Sequence, residues 1–446
     1  MYLFVIDHPY HYEAENLCRV FFPFDPVVTL HSTAEAEAPQ PRTVYTAVAD
    51  GVYTVRIQDE SGETARTAPR SGEDEYGLMA LLFEALCSHT GKTPRWGMLT
   101  GIHPIKLLRQ LAERLGETEA ERLFREKYFV SAEKTALAVR TLREEAPVTA
   151  DVGENDYALY ISVPFCPTRC AYCSFVSQSV EKTKKQIPQY HALLLEEIRA
   201  TADCARALGL RLRAVYVGGG TPTTFSAEQL RAVIETVRAA FDLSACTEFT
   251  VEAGRPDTID REKLEALLQG GVTRISINPQ TLQDSVLENI GRRHTAQQTV
   301  EAFRLARAVG FTNINMDLIV GLPGDTYESF CDTIEKVLAL DPENVTVHAL
   351  ALKRSSRITQ SGEINRAHAD AALADRMMAY AEERLTAHGL SPYYLYRQSR
   401  MAGNLENTGW AKPGFVCAYN IFTMDETETV LACGAGGVTK LKDPYS

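Results

Sequence analysis

The sequence predicts an α/β protein, in which a parallel sheet built from βα units after Tyr157 is preceded by a small α+β appendage. Three observations carry this. Six β-rich runs follow one another after Tyr157, the stretches between them are amphipathic and long enough for crossover helices, and the residues least expected in a buried strand all stand where those runs end.

The appendage comes first in the chain. The alternation in TVYTAVADGVYTVRIQD reads as a hairpin with Asp50-Gly51 at its turn, and Glu75 to Glu145 has a helical pattern broken mainly between Gly91 and Pro104. The later runs are ALYISVPF, LRAVYVGGG, TEFTVEA, VTRISINPQ, TNINMDLIVG and ENVTVHALAL. Gln189 to Leu208, Ala227 to Phe241 and Thr295 to Val309 supply helices between them. Such a succession means a parallel sheet, either doubly wound or curled into a full or partial barrel. The domain reading is 1–150 for the appendage, to which the sequence assigns no role, 151–385 for the βα units, and 386–446 for a C-terminal segment. The chain stops at KLKDPYS, which reads as a truncated end.

Composition narrows what such a fold does. The 446 residues, 45% hydrophobic, suffice for two or three domains with separate cores. No window reaches the roughly 18 uninterrupted apolar residues of a membrane span. MYLFVIDHPYHYE has neither a basic start nor a long apolar run, so a cytoplasmic protein with no membrane partner is expected. Ten cysteines scattered over this length are not the paired framework of a small secreted domain, and Cys18, Cys87, Cys204, Cys246 and Cys331 read as small apolar residues. The formal charge of -12 argues against a nucleic-acid partner, which needs a surplus of Lys and Arg. An anionic substrate must then meet a local basic patch.

In parallel α/β folds ligands bind beyond the carboxyl ends of the strands. A cysteine-rich stretch follows the first run, Gly218-Gly219-Gly220-Thr221-Pro222 the second, Glu252 the third and Gln280 the fourth, and Asp317 sits late in the fifth. Each alone has an ordinary structural reading, as a satisfied polar group or a tight turn. Together they describe one rim.

The stretch PFCPTRCAYCSF places Cys166, Cys170 and Cys173 within eight residues and supplies no fourth thiol. Structural zinc takes four ligands, and no second knuckle or spaced His pair lies nearby. A thioredoxin-like C-x-x-C would leave Cys166 idle. A four-iron cluster held by three thiolates keeps one iron without a protein ligand, free for a substrate or cosubstrate, so three is the number its chemistry requires. Tyr172 stands where it helps shield the sulfurs.

C-x-x-x-C-x-x-C after such a strand resembles the signature of the radical S-adenosylmethionine enzymes. The likeness is finer than that. YISVPFCPTRCAYCSF, VYVGGGTPT, VEAGRPD, ISINPQTLQDSVLENIGRRHT and INMDLIVGLPGDT are similar, in order and spacing, to the oxygen-independent coproporphyrinogen III oxidase group. YYLYRQSRMAGNLENTGWA and GAGGVTK resemble its HemZ-type coproporphyrinogen dehydrogenase branch, and WGMLTGIHPIKL in the appendage has the look of the same branch. The likeness covers Tyr157 to the last residue.

The resemblance implies a partial (βα)6 TIM-like radical SAM barrel whose mouth the C-terminal segment closes. It implies a [4Fe-4S] cluster on Cys166, Cys170 and Cys173, with S-adenosyl-L-methionine chelating the open iron and cleaved to a 5′-deoxyadenosyl radical. By the same likeness Tyr160 contacts the cluster and cosubstrate, Gly219, Gly220 and Thr221 line the methionine amino group, and Glu252, Gln280, Arg292 and Asp317 hold its carboxylate, ribose and amino groups. Their chemistry suits the roles: an ammonium wants acceptors, a carboxylate a guanidinium fork, a ribose an acid or amide. For Arg292 the competing reading is a solvated helix-end arginine beside Arg293.

Three departures bear on the substrate. Ser162 stands where the family often has His, Phe175 stands where the bacterial oxidase has a further cysteine, and Tyr419-Asn420-Ile421-Phe422-Thr423-Met424 replaces the H-N-x-x-Y-W stretch of heme-chaperone relatives. The implied reaction is oxidative decarboxylation of coproporphyrinogen III propionates to vinyl groups in porphyrin biosynthesis, fed by an electron donor such as flavodoxin or ferredoxin, in a monomer. A heme-binding chaperone, another tetrapyrrole and an RNA-modifying radical enzyme are the competing readings. Four propionates call for cations beside flat apolar surface. Tyr393, Tyr394 and Tyr396 beside Arg397 and Arg400, with Lys353 and Arg354 after the sixth run, are the expected contacts, against ordinary core packing for the tyrosines.

Overall fold

The structure is a computed structural model that describes residues 1–35, 40–351, 356, 371–398 and 401–442. It divides into two compact units, Met1–Ala138 with Arg397–Arg400, and Val139–Tyr396 with Met401–Ser446.

In the first unit the expected hairpin joins β3 (Arg42–Ala49) to β4 (Val52–Asp59), and Ala49 pairs with Val52. Asp50 and Gly51 both have positive φ, 51° and 73°, the requirement of a two-residue turn whose twist matches the strands. The structure adds three strands that the alternation did not reveal. β1 (Tyr2–Ile6) lies parallel between β3 and β2 (Val28–Leu30), and β5 (Gly62–Pro69) extends the far edge antiparallel to β4. One face of this sheet packs Leu3, Val5, Val44, Val55 and Ile57 against Leu17 and Cys18 of α1 (His11–Phe21) and Leu78, Leu82 and Leu86 of α2 (Asp74–Thr90). Complete burial pushes the Cys18 thiol up to about 12, as suits an apolar core residue. The long helical pattern resolves into α2, α3 (Pro104–Leu115), α4 (Glu117–Glu126) and α5 (Ala132–Thr149), the last running on into the second unit.

The second unit holds six parallel strands that are neighbours in chain order. They are β6 (Asp156–Val163), β9 (Arg211–Gly219), β10 (Glu248–Glu252), β11 (Arg274–Ser276), β12 (Ile314–Val320) and β13 (Asn344–Ala349). Between β6 and β9 lie the short pair β7 (Phe165–Cys166) and β8 (Gln178–Ser179), then α6 (Val180–Thr183) and α7 (Ile187–Ala207). The remaining crossovers carry α8 (Ala227–Ala240), α9 (Arg261–Gln269), α10 (Asp284–Asn289), α11 (Ala296–Val309) and α12 (Tyr327–Leu340). Ser226 with Gln229 and Thr295 with Gln298 form reciprocal capping boxes that start α8 and α11 where the sequence places them.

The C-terminal residues supply both borders of this sheet. After α13 (Ala371–Ala387), β14 (Ser391–Arg397) and β15 (Glu406–Ala411) extend it beyond β13, with β15 antiparallel. Then α14 (Ala418–Asp425) leads to β16 (Thr429–Cys433), which pairs parallel with β6 at the opposite border, Thr429 beside Tyr157. Among the described residues β14 and β16 form no ladder with each other. The result is an α/β sheet of six consecutive βα units, as expected of a partial (βα)6 barrel. No helix of the described residues is long and apolar enough to cross a membrane.

Alternate residues of β11–β13 turn polar groups to one face. Asn315 donates to the Ser276 hydroxyl at 2.8 Å and to Asp317 at 2.7 Å, and the Thr346 hydroxyl donates to Asn315 at 3.1 Å. Buried polar atoms need such partners. Here the cross-strand ladder fixes the Asp317 carboxylate at one height in the sheet.

Candidate active site

The cysteine loop is held at both ends and in the middle by backbone bonds. Gly220 N donates to Val163 O (2.8 Å) and Gln178 N to Pro164 O (2.8 Å), which closes its base, while Ala171 N donates to Ile290 O (2.9 Å) at its tip. Ala171 and Tyr172 pack on Val286, Leu287, Ile290, Ile319, Leu322 and Leu350. Cys170 is buried, and Cys166 and Cys173 are half-buried. Desolvation pushes the Cys166 thiol up, partly offset by a hydrogen bond from the Thr221 hydroxyl, 3.5 Å away; desolvation pushes Cys173 up to about 11. Among the described residues no three His, Cys, Asp or Glu side chains converge as ligands of a single ion do. A cuboidal cluster does not ask for that, since each thiolate meets a different iron.

The glycines after β9 also answer a packing need. A Cβ on Gly220 would lie 2.7–2.9 Å from the backbone of Phe165, and one on Gly219 2.8 Å from Ser162 Oγ and 2.9 Å from Val163 N. The missing side chains therefore let the entrance of the cysteine loop pass against the end of β9. Ser162 uses its small size the same way: its hydroxyl donates to Ala435 O (2.8 Å), and its carbonyl accepts from Tyr190 (2.8 Å). The GAGG stretch after β16 is thereby pinned to the end of β6.

Glu252 stands at the end of β10 and accepts from the Tyr216 hydroxyl at 2.7 Å. Desolvation, with Asp317 adding negative charge, pushes its carboxyl up to about 7 against that hydrogen bond. Tyr216 stacks on Tyr419 of α14 at 4.4 Å between centroids, and Tyr160 lies 6.2 Å from each. Desolvation, reinforced by Glu252 and Tyr419, raises the Tyr160 phenol. All three therefore stay neutral at physiological pH.

Gln280 adopts a left-handed φ of 68°, a conformation that costs a non-glycine residue energy and marks a position held by its surroundings. Its backbone is clamped by Gln280 N to Asp317 O (2.9 Å) and Ile319 N to Gln280 O (3.0 Å). Its buried side-chain Oε1 has no partner, an acceptor left open. Arg292 is 7% exposed and so is not a solvated helix end. Nη1 donates to Asn278 O (2.5 Å) and Nη2 to the Tyr172 hydroxyl (3.3 Å), while Nε is buried and unpartnered. Asp317 lies mid-strand rather than at the strand end, with His348 Nε2 3.9 Å away.

Two residues escaped the sequence reading. Arg255 is buried, forms a two-pronged pair with Asp257 (3.1 and 3.0 Å) and donates to Thr168 in the cysteine loop. Thr168 in turn donates to Gly291 O at 2.9 Å. The signal available was the R-P-D triplet just after the third strand, where an arginine and an acid two apart can share a turn.

The expected substrate contacts fare unevenly. Tyr393 and Tyr394 are buried, and Tyr394 stacks on Tyr396 at 6.3 Å with its hydroxyl on Thr346 (3.4 Å), so the two share one face as alternation requires. Arg397 needs correction. It is 3% exposed, and its Nη1 donates to Leu99 O at 2.6 Å, so the guanidinium is consumed by a backbone carbonyl rather than offered to a propionate. Arg400, Lys353 and Arg354 lie outside the described residues.

Residues 160–337 match the Radical SAM superfamily. The chain is 37% identical over 362 residues to the oxygen-independent coproporphyrinogen-III oxidase-like protein HemZ of Bacillus subtilis, which spans 80% of this chain and 72% of that protein. It is 32% identical to the heme chaperone HemW of the same organism, over 62% of this chain and 69% of the relative. Coproporphyrinogen III oxidase (HemN) from Escherichia coli, a radical SAM enzyme, is a structural neighbour with a TM-score of 0.53 and 25% identity, covering 67% of each chain. The chain belongs to the radical SAM superfamily, within its oxygen-independent coproporphyrinogen III oxidase-like family.

Members of that superfamily bind a [4Fe-4S] cluster and S-adenosylmethionine. The donor set of this rim fits both groups: three thiols on one anchored loop, an open acceptor at Gln280, and a buried guanidinium with a spare N–H at Arg292.

Proposed function

We propose that the protein is a radical SAM enzyme that oxidatively decarboxylates coproporphyrinogen III propionates to vinyl groups. The observation that carries the reading is that the anchored thiol loop and the unpartnered polar atoms of Gln280 and Arg292 belong to one end of one sheet, in a chain of the coproporphyrinogen oxidase-like family. When bound, the cluster and cosubstrate supply one-electron cleavage of a sulfonium and a primary carbon radical that takes hydrogen from the substrate.

The chain's own part is placement. Cys166, Cys170 and Cys173 would hold three irons. Glu252 in its charged form and Gln280 Oε1 would accept from the methionine ammonium and ribose, Asp317 would do the same from the neighbouring strand, and Arg292 Nε would meet the carboxylate. Tyr160, stacked and neutral, would wall the radical from water, while the two-tyrosine face of β14 would serve as an apolar wall for the macrocycle. An electron donor such as flavodoxin or ferredoxin would supply the electron.

The heme-chaperone reading draws on the HemW relatives. Against it, Tyr419, which stands where those relatives carry the His of their H-N-x-x-Y-W stretch, is buried in the stack with Tyr216 and Tyr160 and not presented to a ligand. Anaerobic incubation of the reconstituted protein with cosubstrate and coproporphyrinogen III, read by mass spectrometry, tests the proposal. Loss of carbon dioxide from two propionates is expected. Stoichiometric heme binding with no cosubstrate cleavage would replace the enzyme by the chaperone.

A further inference from the structure

The cysteine loop opens to solvent after Cys173. Two and three residues after Cys173, Phe175 and Val176 are 70% and 65% exposed, among the few large apolar side chains of the described residues that lie open to solvent. Three residues later the chain pairs with the loop again, Ser179 beside Cys166 in the β7–β8 ladder, and α6 begins. Lys182, Lys184 and Lys185 follow at once, all exposed, and none forms an ion pair or hydrogen bond with a described residue. The one acid in the helix, Glu181, is taken by Arg293 at 2.9 Å. A chain of formal charge -12 thus follows an exposed aromatic and aliphatic pair, within ten residues of sequence, with three uncompensated cations on and after a helix that starts next to Ser179, the partner of Cys166.

A lysine run is ordinarily a solvated face, and a single exposed apolar residue needs no explanation. The combination is different. An apolar centre with a charged margin is the composition of a transient protein interface, and charge of one sign speeds the encounter with a partner of the other.

We propose that Phe175, Val176, Lys182, Lys184 and Lys185 form the docking surface for a small acidic protein that carries single electrons. The inference rests on the cluster assignment of the proposed function and adds to it the route by which the electron arrives. Each transfer oxidises the carrier and reduces the cluster by one electron, with no bond made or broken in either protein. The exposed pair, two and three residues after Cys173, would exclude water where the carrier docks, and the lysines would orient it.

The test uses the full-length, anaerobically reconstituted protein with a flavodoxin, an acidic one-electron carrier. Binding of oxidised flavodoxin is measured at low and high ionic strength, and the rate of cluster bleaching by reduced flavodoxin is followed by stopped flow, with dithionite as a small reductant that needs no docking. The triple variant Lys182→Glu, Lys184→Glu, Lys185→Glu is expected to bind at least tenfold more weakly at low salt and to be reduced at least tenfold more slowly by flavodoxin, while dithionite reduces it as it does the parent. Phe175→Ser with Val176→Ser should weaken binding at both salt concentrations. Unchanged affinity of flavodoxin for the triple variant overturns the proposal. The binding arm needs no reducible cluster, so a chain that fails to hold one would sink the proposed function while this reading is still decided.

Discussion

Arg255 grips Thr168 twice, the same Nη1 donating to its carbonyl oxygen at 3.2 Å and to its hydroxyl oxygen at 3.1 Å. The other edge of the guanidinium is spent on Asp257, so one buried side chain ties the turn after β10 to the middle of the cysteine loop. Losing it would leave buried polar partners unmatched, at about 1–3 kcal/mol. Arg255→Ala should therefore lower iron and sulfide retained per chain after reconstitution, with the far-ultraviolet circular dichroism of the parent. Arg255→Lys, which keeps the charge on a single donor nitrogen, should recover part of the loss.

Replacing Cys166, Cys170 or Cys173 by Ala should abolish the charge-transfer absorption of a four-iron cluster and cosubstrate cleavage. Cys417→Ala and Cys433→Ala should leave both intact. Full iron content in Cys170→Ala would remove the cluster from this loop.

Gly220→Ala asks a narrower question. Its Cβ would strike Phe165 backbone atoms at 2.7–2.9 Å, and backbone cannot swing aside as a side-chain tip can. The loop entrance must move. Iron retention should fall at least severalfold, whereas an unchanged cluster content would show that the loop tolerates the shift.

Glu252 gives a pH dependence whose sign follows from its raised carboxyl. Below about 7 the group is mainly neutral and a poor acceptor for an ammonium; above it the carboxylate forms. Affinity for S-adenosylmethionine should rise with pH through about 7 and then level off, as read by equilibrium dialysis under anaerobic conditions. Tyr216→Phe removes the hydrogen bond that favours the charged form and should move the midpoint upward. A flat profile in the parent would show that Glu252 does not meet the ammonium.

Glu428 offers a stability test away from the rim. It is 3% exposed with both carboxylate oxygens unpartnered, and desolvation, with Asp156 nearby, pushes its carboxyl up to about 8 against the pull of Arg213, Lys442 and Arg211. A carboxyl raised on folding from the usual 4.5 contributes stability in its neutral form, fully present below 4.5 and lost as pH rises through 8. Melting temperature should fall between about pH 5 and 8 in the parent and level off above, and Glu428→Gln should flatten that decline.

Much of this was legible because buried parallel strands leave near-continuous runs of Val, Ile and Leu. LRAVYVGGG and TNINMDLIVG announce β9 and β12 to within about two or three residues. The thiol spacing was legible because it is local. What escaped is information held by distant partners. TVLAC is an ordinary strand sequence, and nothing in those five residues names Tyr157 as the partner of Thr429. Arg397 sits in a motif of tyrosines and cations that suggests a surface, yet the carbonyls of Leu99 and Ile102, some 300 residues earlier, decide its burial. Arg255 and Thr168 are common residues whose importance arises only where two turns meet.

The two borders of the large sheet carry a consequence for biosynthesis. β6 is made early, but its outer neighbour β16 lies about 270 residues later, and at ordinary elongation rates that gap lasts roughly 15 to 50 s. Through that interval β6 leaves the ribosome with one edge unpaired, and the Ser162 anchor has no Ala435 to accept it. A nascent chain can hold its thiols and still lack the wall behind them. A cluster delivered before β16 arrives would meet an unfinished site, and growth conditions that slow translation should lengthen the interval in which the bare edge of β6 is open to aggregation.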